Sequence, residues 1–399
     1  VALAERAVIT CGSSRRGRTS REQKREHCGQ WQSDTSRRHA GHLTKPLVSS
    51  SPTPSPVAAD TLTVATYNVE LTRKGPGLLL RDALGGKDPQ VEAVARVIAG
   101  RSPDVILLTG IDWDLDLLAV KAVAARIAAA GADYPHLYAT QPNTGMATGL
   151  DLDGDGRLNE ADDAQGWGRF TGEGGMAVMS RLPLDEPAAR DFSGLLWRDL
   201  PGNLIAEDTL AEGAADIQRL SSTGHWDVPV ILPDGARLHL LAMYAGPPVF
   251  DGPEDRNGRR NHDETAFWQR YMDGSLRDAP PGGPFVILGT LNLDPADGDG
   301  RTEAIAGLLA DRRVTDVGPA SPGGKAAADA AHRGDPALDT AVFAPPKGPG
   351  NLRVDYVLPS ADLRVTGSGV WWPEPDDPGA EDATVASRHR MVWVTVETE

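Results

Sequence analysis

Cysteine is nearly missing from this chain. The only two cysteines, Cys11 and Cys28, lie within the first sixty residues. No disulfide can therefore form within the remainder, and the cysteine content leaves the redox compartment open. A chain of 399 residues is long enough to bury a large apolar core without such a framework.

Long apolar runs are also missing. No stretch of eighteen apolar residues occurs, so we expect no transmembrane helix. Residues 56–60 resemble a signal-peptide cleavage boundary, but the apolar segment that such a peptide requires does not precede them. The sequence therefore leaves localisation, including export, undecided.

Basic residues are scarce outside the N-terminal part. Residues 1–60 carry 10 Lys and Arg against 5 Asp and Glu, whereas residues 61–399 carry 30 against 51. An acidic surface repels a polyphosphate backbone, which argues against a processive nucleic-acid-binding protein. It does not exclude a small phosphoester substrate.

The first sixty residues lack the periodic apolar pattern that folding requires. They are rich in Arg, Ser, Gly and Pro, and residues 49–56 have the composition of a linker. We predict a disordered basic leader over 1–60 and one folded domain over 61–399. The arginine clusters are typical of a solvated tail and, less often, of a nucleic-acid contact.

Three apolar runs end in polar residues. They span 62–68, 105–112 and 285–295, and they deliver Asn68, Asp112 and Asn292 at or near their C-terminal ends. Buried strands need such apolar runs, and strand ends in an α/β fold hold polar side chains at the mouth of a crevice. We therefore predict the functional site at these ends.

The remaining pattern predicts an α/β fold with two packed mixed sheets and outer helices. Residues 142–175 are too long for an ordinary connection and are expected to be functional or braced by an ion. The predicted helices span 91–100, 115–130, 261–272 and 302–309, and the further predicted strands span 135–138, 175–180, 217–221, 226–232, 238–243, 352–358, 369–372 and 391–397.

Five ordered segments at these predicted strand ends resemble the endonuclease/exonuclease/phosphatase superfamily of deoxyribonuclease-like, metal-dependent phosphoesterases. The segments are residues 65–68, 103–112, 238–244, 287–292, and 355–358 followed by 387–389. The resemblance covers about 61–397 and implies a four-layer α/β/β/α sandwich. It also implies a divalent-metal phosphoesterase site at one end of the sheets.

The resemblance assigns roles to four residues. Asn68, Asn292 and His389 match the family's catalytic positions, and Asp355 matches the acidic residue that orients the terminal histidine. Asn68 would also be a metal ligand. Phosphoester hydrolysis needs a hard cation such as Mg²⁺ or Mn²⁺, oxygen ligands for it and a base for water, so the resemblance implies one of these ions here.

Four positions depart from the family pattern. Gly110, Tyr244, Thr290 and Arg388 replace a metal-binding Glu, a His, the catalytic Asp and a second Asp. Tyr244, Thr290 and Arg388 can still bind the phosphoryl group of a substrate through hydrogen bonds or charge. Because strand side chains alternate with period two, we expect Asp112 to share a face with Gly110 and to replace the missing metal ligand.

Two further segments contain candidate residues. His225 and Asp227, at alternate positions before or within a predicted strand, are interpreted as an oriented catalytic pair or as a buried structural pairing. Residues 250–262 are rich in donors, and Arg256 and Asn257 within them are interpreted as substrate-binding. A solvated surface loop is the alternative.

Residues 151–162 have the spacing of a calcium-binding loop. Such a loop places oxygen ligands at fixed positions around the ion and has a glycine at position 6, which is Gly156 here. Position 12 is an aspartate instead of the usual glutamate. We predict a structural Ca²⁺ site, with a solvated acidic turn as the alternative; its ligands would be Asp151, Asp153, Asp155, Asn159 and Asp162.

Two functions follow from these patterns. The first is a metal-dependent phosphoesterase that acts on a small phosphoester or a nucleic acid. The second is a catalytically weak or inactive family member that binds a phosphorylated ligand or a partner, since three carboxylates of the family pattern are replaced. A monomer is expected in either case.

Overall fold

The computed structural model describes residues 60–398, so the predicted leader lies outside the described residues except for Asp60. Strands and helices alternate in the first part, as expected from the sequence. The strands are β1 (Thr61–Leu71), β2 (Val105–Ile111), β3 (His136–Tyr138), β4 (Gly175–Ser180), β5 (Arg190–Asp191), β6 (Gly224–Ile231), β7 (Arg237–Tyr244), β8 (Phe285–Thr290), β9 (Ala341–Phe343), β10 (Gly350–Leu352), β11 (Asp355–Pro359), β12 (Val365–Trp371) and β13 (Met391–Glu397). The helices are α1 (Leu78–Gly85), α2 (Pro89–Arg101), α3 (Leu118–Ala129), α4 (Ala214–Ile217), α5 (Arg256–Met272), α6 (Glu303–Leu309), α7 (Pro322–Ala326) and α8 (Ala380–Ala386).

The strands form two mixed sheets and one small hairpin. The first sheet has the order β12-β13-β1-β2-β4-β3, and the second has the order β11-β8-β7-β6-β5. Strands β9 and β10 pair separately. This arrangement confirms the predicted fold class of two packed mixed sheets with outer helices.

Three apolar clusters separate the four layers. One cluster fills the space between the sheets and includes Val64 and Leu107 of the first sheet and Leu240 and Val286 of the second. A second cluster packs the first sheet against α1, α2 and α3. A third packs the second sheet against α5 and α6. Each sheet is therefore buried on both faces.

The inter-sheet face of each strand determines which polar residue reaches the mouth of the sandwich. In β8, Val286 and Leu288 face the other sheet, so Thr290 continues that face at the end of the strand. By the same alternation, each neighbouring strand has one polar residue at this end of the sandwich. We call this end of the sandwich the rim. These residues are Asn68 of β1, Thr109 of β2, Tyr244 of β7, Thr290 of β8 and Asp355 of β11.

One predicted strand is wrong. Residues 217–221 were expected to form a strand, but the segment begins with the last residue of α4 and makes only an isolated bridge between Arg219 and Leu196. The Arg260 side chain donates to the carbonyl oxygens of Arg219, Leu220 and Ser221, which a neighbouring strand would otherwise bind. No helix within residues 60–398 is long and apolar enough to cross a membrane.

Candidate functional site

Hydrogen bonds join all five rim strands and the segment before β13. The Thr109 and Thr290 hydroxyls lie 2.8 Å apart and link the two sheets. Asn68 Nδ2 donates to the Tyr244 hydroxyl at 3.4 Å, a long bond. His389 Nδ1 lies 2.8 Å from Asp355 Oδ2. The structure therefore brings together the segments that the sequence predicted to converge.

Asp355 is the centre of the rim network. Its carboxylate is buried, and Oδ1 accepts a hydrogen bond from Thr290 Oγ1 at 2.6 Å. Its Oδ2 accepts from Thr340 Oγ1 at 2.9 Å and faces His389 Nδ1. An ionised carboxylate accepts and does not donate, so the His389 tautomer that makes this contact carries its proton on Nδ1. The Nε2 lone pair then remains available as an acceptor.

The two threonines complete the network without supplying a base. The Thr290 hydroxyl donates its hydrogen bond to Asp355. Thr109 must therefore be the donor in the hydrogen bond between the two threonine hydroxyls. Both threonines are buried. A threonine hydroxyl has no proton-accepting strength comparable to the aspartate that the resemblance places at 290. The rim therefore holds an oriented histidine beside a position that cannot activate water as a carboxylate would.

An ion pair that the sequence reasoning missed lies across the end of β1. Glu70 Oε1 accepts from Arg388 Nε at 2.8 Å, and Glu70 Oε2 accepts from the Arg388 backbone N–H at 2.7 Å. Burial acts to raise the pKa of Glu70, but the hydrogen bonds and charge of Arg388, together with His389, lower it. Glu70 is therefore ionised and neutralises Arg388. An arginine at a position that resembles an aspartate was a signal to search for such a partner.

Gly110 has a backbone conformation that is unfavourable for any residue with a side chain. Its φ is +69°, and a Cβ there would lie 2.5 Å from Asn68 Oδ1. The pairing of β2 with both neighbours shifts register around this residue. Gly110, which replaces the family's glutamate, therefore lacks the side chain and also lies at a local irregularity of β2.

The predicted role of Asp112 as a replacement ligand disagrees with the structure. Period-two alternation fails here because of the irregularity at Gly110. Asp112 Oδ2 accepts from the Arg73 backbone N–H at 3.0 Å, and Oδ1 accepts from the Gly174 N–H at 3.1 Å. Burial raises the pKa of Asp112 to about 6. Asp112 therefore stabilises the loops that follow β1 and precede β4.

His225 and Asp227 do share a face, but it is the wrong face for the rim. In β6 the inter-sheet positions are Trp226 and Val228, so His225 and Asp227 point toward α5. His225 Nδ1 bonds Ser221 Oγ and Nε2 bonds the Glu264 carbonyl, while Asp227 bonds His239 and Tyr271. The predicted catalytic pair is not formed between these residues. Burial lowers the pKa of His225 to about 4.

Asn257 stabilises its own loop, and Arg256 begins α5. Asn257 Nδ2 donates to the Val249 carbonyl at 2.9 Å, and its backbone N–H donates to Asp251 Oδ2. Asn292, by contrast, lies two residues after the end of β8 with φ +54° and donates from Nδ2 to the Ala245 carbonyl at 2.8 Å. Asn292 thus joins the ends of β7 and β8, whereas substrate binding by Arg256 and Asn257 stays a prediction.

The oxygen donors at the rim do not fit a divalent cation. Glu70 is paired with Arg388, Asp355 already accepts three hydrogen bonds, and Asn68 Oδ1 accepts the Glu70 backbone N–H at 3.2 Å. The Arg388 guanidinium brings a positive charge beside the carboxylate that a cation would need. Mg²⁺ and Mn²⁺ require carboxylate or carbonyl oxygens that are free to coordinate. The expected Mg²⁺ or Mn²⁺ site is therefore not supported by this donor set.

An acidic cluster does form in the predicted calcium loop. Ligand oxygens of Asp151, Asp153 and Asp155 lie within 4.8 Å of one another. Asn159 adopts a left-handed conformation with φ +65°. Asp162 is exposed, and the turn is closed instead by buried Asp163, which accepts from the Leu152 N–H at 2.8 Å. The loop therefore brings together the first three of its five predicted ligands.

Several solved structures of other proteins are similar to this chain. An endonuclease/exonuclease/phosphatase from Beutenbergia cavernae is 17% identical, with a TM-score of 0.51 over 84% of this chain and 71% of that one. Sphingomyelinase C from Streptomyces griseocarneus is 16% identical, with a TM-score of 0.46 over 84% of this chain and 99% of that one. Truncated TDP2 from Caenorhabditis elegans is 13% identical, with a TM-score of 0.42 over 85% and 98%. No curated protein matches the chain.

The sequence itself matches a family model over most of the described residues. The model is that of the endonuclease/exonuclease/phosphatase family, and the match covers residues 65–389. This span begins in β1 and ends at His389, so it includes every rim residue named above. Members of this family are phosphoesterases and are generally dependent on divalent metals. The chain belongs to the endonuclease/exonuclease/phosphatase family.

Proposed function

We propose that this chain binds a phosphorylated ligand at the rim and hydrolyses it weakly or not at all. The observation that carries the proposal is the ion pair between Glu70 and Arg388. It pairs a guanidinium with the Glu70 carboxylate, two residues from Asn68, so this carboxylate is not free to coordinate a metal ion. The expected metal-dependent phosphoesterase requires anionic oxygens and a base at this place.

The remaining rim groups suit an anion. The Arg388 side chain is 64% exposed, so a phosphoryl group can reach it from solvent. The hydroxyl of Tyr244 lies on the same rim and can donate to a phosphoryl oxygen. An arriving anion competes with Glu70 for the guanidinium, which makes binding dependent on the dianionic charge of a phosphate monoester.

Titration calorimetry with inorganic phosphate and p-nitrophenyl phosphate in EDTA tests the proposal. Arg388→Gln should weaken binding by about tenfold or more, because a charge-assisted hydrogen bond is lost. Arg364→Gln is the matched control, since Arg364 is an exposed arginine paired with Glu397. Equal affinities for wild type and Arg388→Gln would reject the proposed site.

Metal-dependent phosphoester hydrolysis is the second candidate function. The pairing of Asp355 with His389, which the resemblance assigns to catalysis, favours it. Hydrolysis of bis-(p-nitrophenyl) phosphate and plasmid DNA is measured with Mg²⁺, Mn²⁺ or Ca²⁺, and Asn292→Ala is the comparison variant. Metal-stimulated turnover that Asn292→Ala abolishes would establish this function in place of ligand binding alone.

We also propose that the cluster of Asp151, Asp153 and Asp155 binds Ca²⁺. Their clustering and the spacing of residues 151–162 support the proposal. Backbone N–H groups of Gly154 and Gly156 donate to Asp151 and hold its carboxylate in place. The ion would stabilise the insertion at 142–175 and would have no part in chemistry at the rim.

A further inference from the structure

A cavity of about 390 Å³ lies behind the segment that carries Arg388 and His389. Small residues of α7 and α8 form much of its wall, together with Pro373, Pro375 and the exposed Glu381. Trp372 and Arg390 close one side, and the Arg390 guanidinium carbon lies 4.7 Å from the centre of the Trp372 ring. Cavities of this size with a mostly apolar wall and few polar groups are typical of small-molecule sites.

Arg390 is a buried cation whose protein partners are neutral. The residue is 6% exposed, and its Nη1 donates to the carbonyl oxygens of Ser387 at 2.7 Å and His389 at 2.9 Å. Its Nε has no hydrogen-bond partner among residues 60–398. Burial lowers the pKa of Arg390, which reports the cost of keeping this charge away from water. A buried cation without a counter-charge is unfavourable, and an anion beside the guanidinium lowers that cost.

We propose that this cavity binds an organic carboxylate with an aromatic or bulky apolar body. The carboxylate would pair with Arg390, and the body would lie against Trp372 and the small residues of α7 and α8. A singly charged carboxylate matches one guanidinium, whereas a phosphate dianion requires more donors than this wall supplies. The occupant therefore differs from the ligand proposed for the rim.

Titration calorimetry with 2-naphthoate and the neutral 2-naphthamide tests the charge requirement. Naphthoate should bind at least about tenfold more tightly than the amide, because only naphthoate forms a charge-assisted bond. 2-Naphthyl phosphate is the third probe. Equal binding of naphthoate and naphthamide, preferential binding of the phosphate, or no binding by any probe would each overturn the proposal.

Variants locate the binding. Ala326 lines the edge of the cavity and is exposed, so Ala326→Trp should fill the entrance and abolish naphthoate binding without altering Arg390. Ala361→Trp is the matched control at an exposed turn elsewhere. Arg390→Gln should weaken binding as well. If Arg390→Gln fails to fold, Ala326→Trp still tests whether naphthoate binds in this cavity. Binding that is lost in Arg388→Gln but kept in Ala326→Trp would place the anion at the rim and contradict the inference.

Discussion

The residue that best explains the altered rim is Gly110. Where the resemblance expects a metal-binding glutamate, the chain has a left-handed glycine whose missing Cβ makes room for the Asn68 amide. The neighbouring carboxylate is supplied by Glu70, which also has a positive φ of 47°. Side chain and backbone have therefore changed together at the ends of β1 and β2.

Gly110→Ala should destabilise the protein by about 1–3 kcal/mol, because it combines a strained φ with a contact at 2.5 Å. Gly85→Ala, in α1, is the matched control: a Cβ there meets nothing within 4 Å. It should be neutral or stabilising by up to about 1 kcal/mol. Urea denaturation measures both changes. A Gly110→Ala variant as stable as wild type would contradict this account of the strand end.

Arg388→Asp should create cation affinity at the rim. The substitution releases Glu70 and adds a second carboxylate beside it, and affinity for a hard cation rises with the number of charged ligands. Mn²⁺ binding, followed by electron paramagnetic resonance, should tighten by about tenfold or more relative to wild type. Arg388→Gln, which releases Glu70 without adding a carboxylate, should tighten Mn²⁺ binding less. Equal Mn²⁺ affinities in wild type and Arg388→Asp would show that the ion pair does not determine cation binding.

The positions of site residues on regular strands could be predicted from the sequence. The positions of residues that replace or pair with the altered site residues could not. Asn68 and Asp355 lie at the expected strand ends because the apolar alternation of their strands fixes their face. Asp112 was misplaced because alternation fails across a left-handed glycine. Glu70 was missed because its partner Arg388 lies 318 positions away, and no local pattern reports such a pair.

Among the elements, α5 stabilises the segments that precede β6 and follow β7. Glu264 of α5 is fully buried and accepts from the backbone N–H groups of Ser222 and Gly246. The carbonyl of Ala245, next to Gly246, accepts from Asn292. A single helix side chain thus positions the loop that follows Tyr244.

Glu264 should make stability depend on pH. Burial raises its pKa from 4.5 to about 7. Between these values the folded state binds a proton that the unfolded state has released, so the stability contribution falls as pH rises from about 4.5 to about 7. The loss is up to about 3 kcal/mol. Urea denaturation at several pH values should show this decline in wild type and a flatter profile in Glu264→Gln. Parallel profiles for the two proteins would exclude Glu264 as the source.

The acidic loop at residues 151–162 predicts that Ca²⁺ stabilises the protein through this loop alone. Ca²⁺ should raise the melting temperature of wild type, since a ligand that binds only the folded state stabilises it. Asp153→Asn should reduce this shift because it removes one of three clustered carboxylates. Asp208→Asn, at an exposed position outside the loop, should retain the full shift. Differential scanning fluorimetry with and without EDTA measures the effect, and a wild type that does not respond to Ca²⁺ would count against the site.

Strong periodicity identified several of the longer strands and helices, and a side-chain contact from elsewhere in the chain explains the one wrong strand. Strands β4 and β13 match their predicted bounds because their apolar runs are complete. Residues 217–221 do not form a strand, because Arg260, from another part of the chain, binds the carbonyls of the segment. Predicted strand 352–358 is interrupted and becomes the separate strands β10 and β11.

At the scale of the whole molecule, the sandwich separates two kinds of site. The rim lies between the sheets, where strands from both halves of the chain end, and the proposed carboxylate cavity lies outside it against α7 and α8. The fold was predictable because five weak segments occurred in the family's order. The cavity was not, since it depends on the packing of short helices whose small residues have no distinctive pattern.

The pairing of β1 with β13 has a practical consequence. The Thr398 N–H donates to the Asp60 carbonyl at 3.0 Å, so these two residues are neighbours, and β1 then runs about 20–25 Å from there to the rim. A circular permutant that links residue 398 to residue 60 and opens between Asp234 and Gly235, in the exposed turn joining β6 and β7, should fold and retain phosphate affinity. Loss of cooperative melting in this permutant would contradict the expectation. Attachment of the protein to a sensor chip through residue 398 should likewise leave the rim facing the solution.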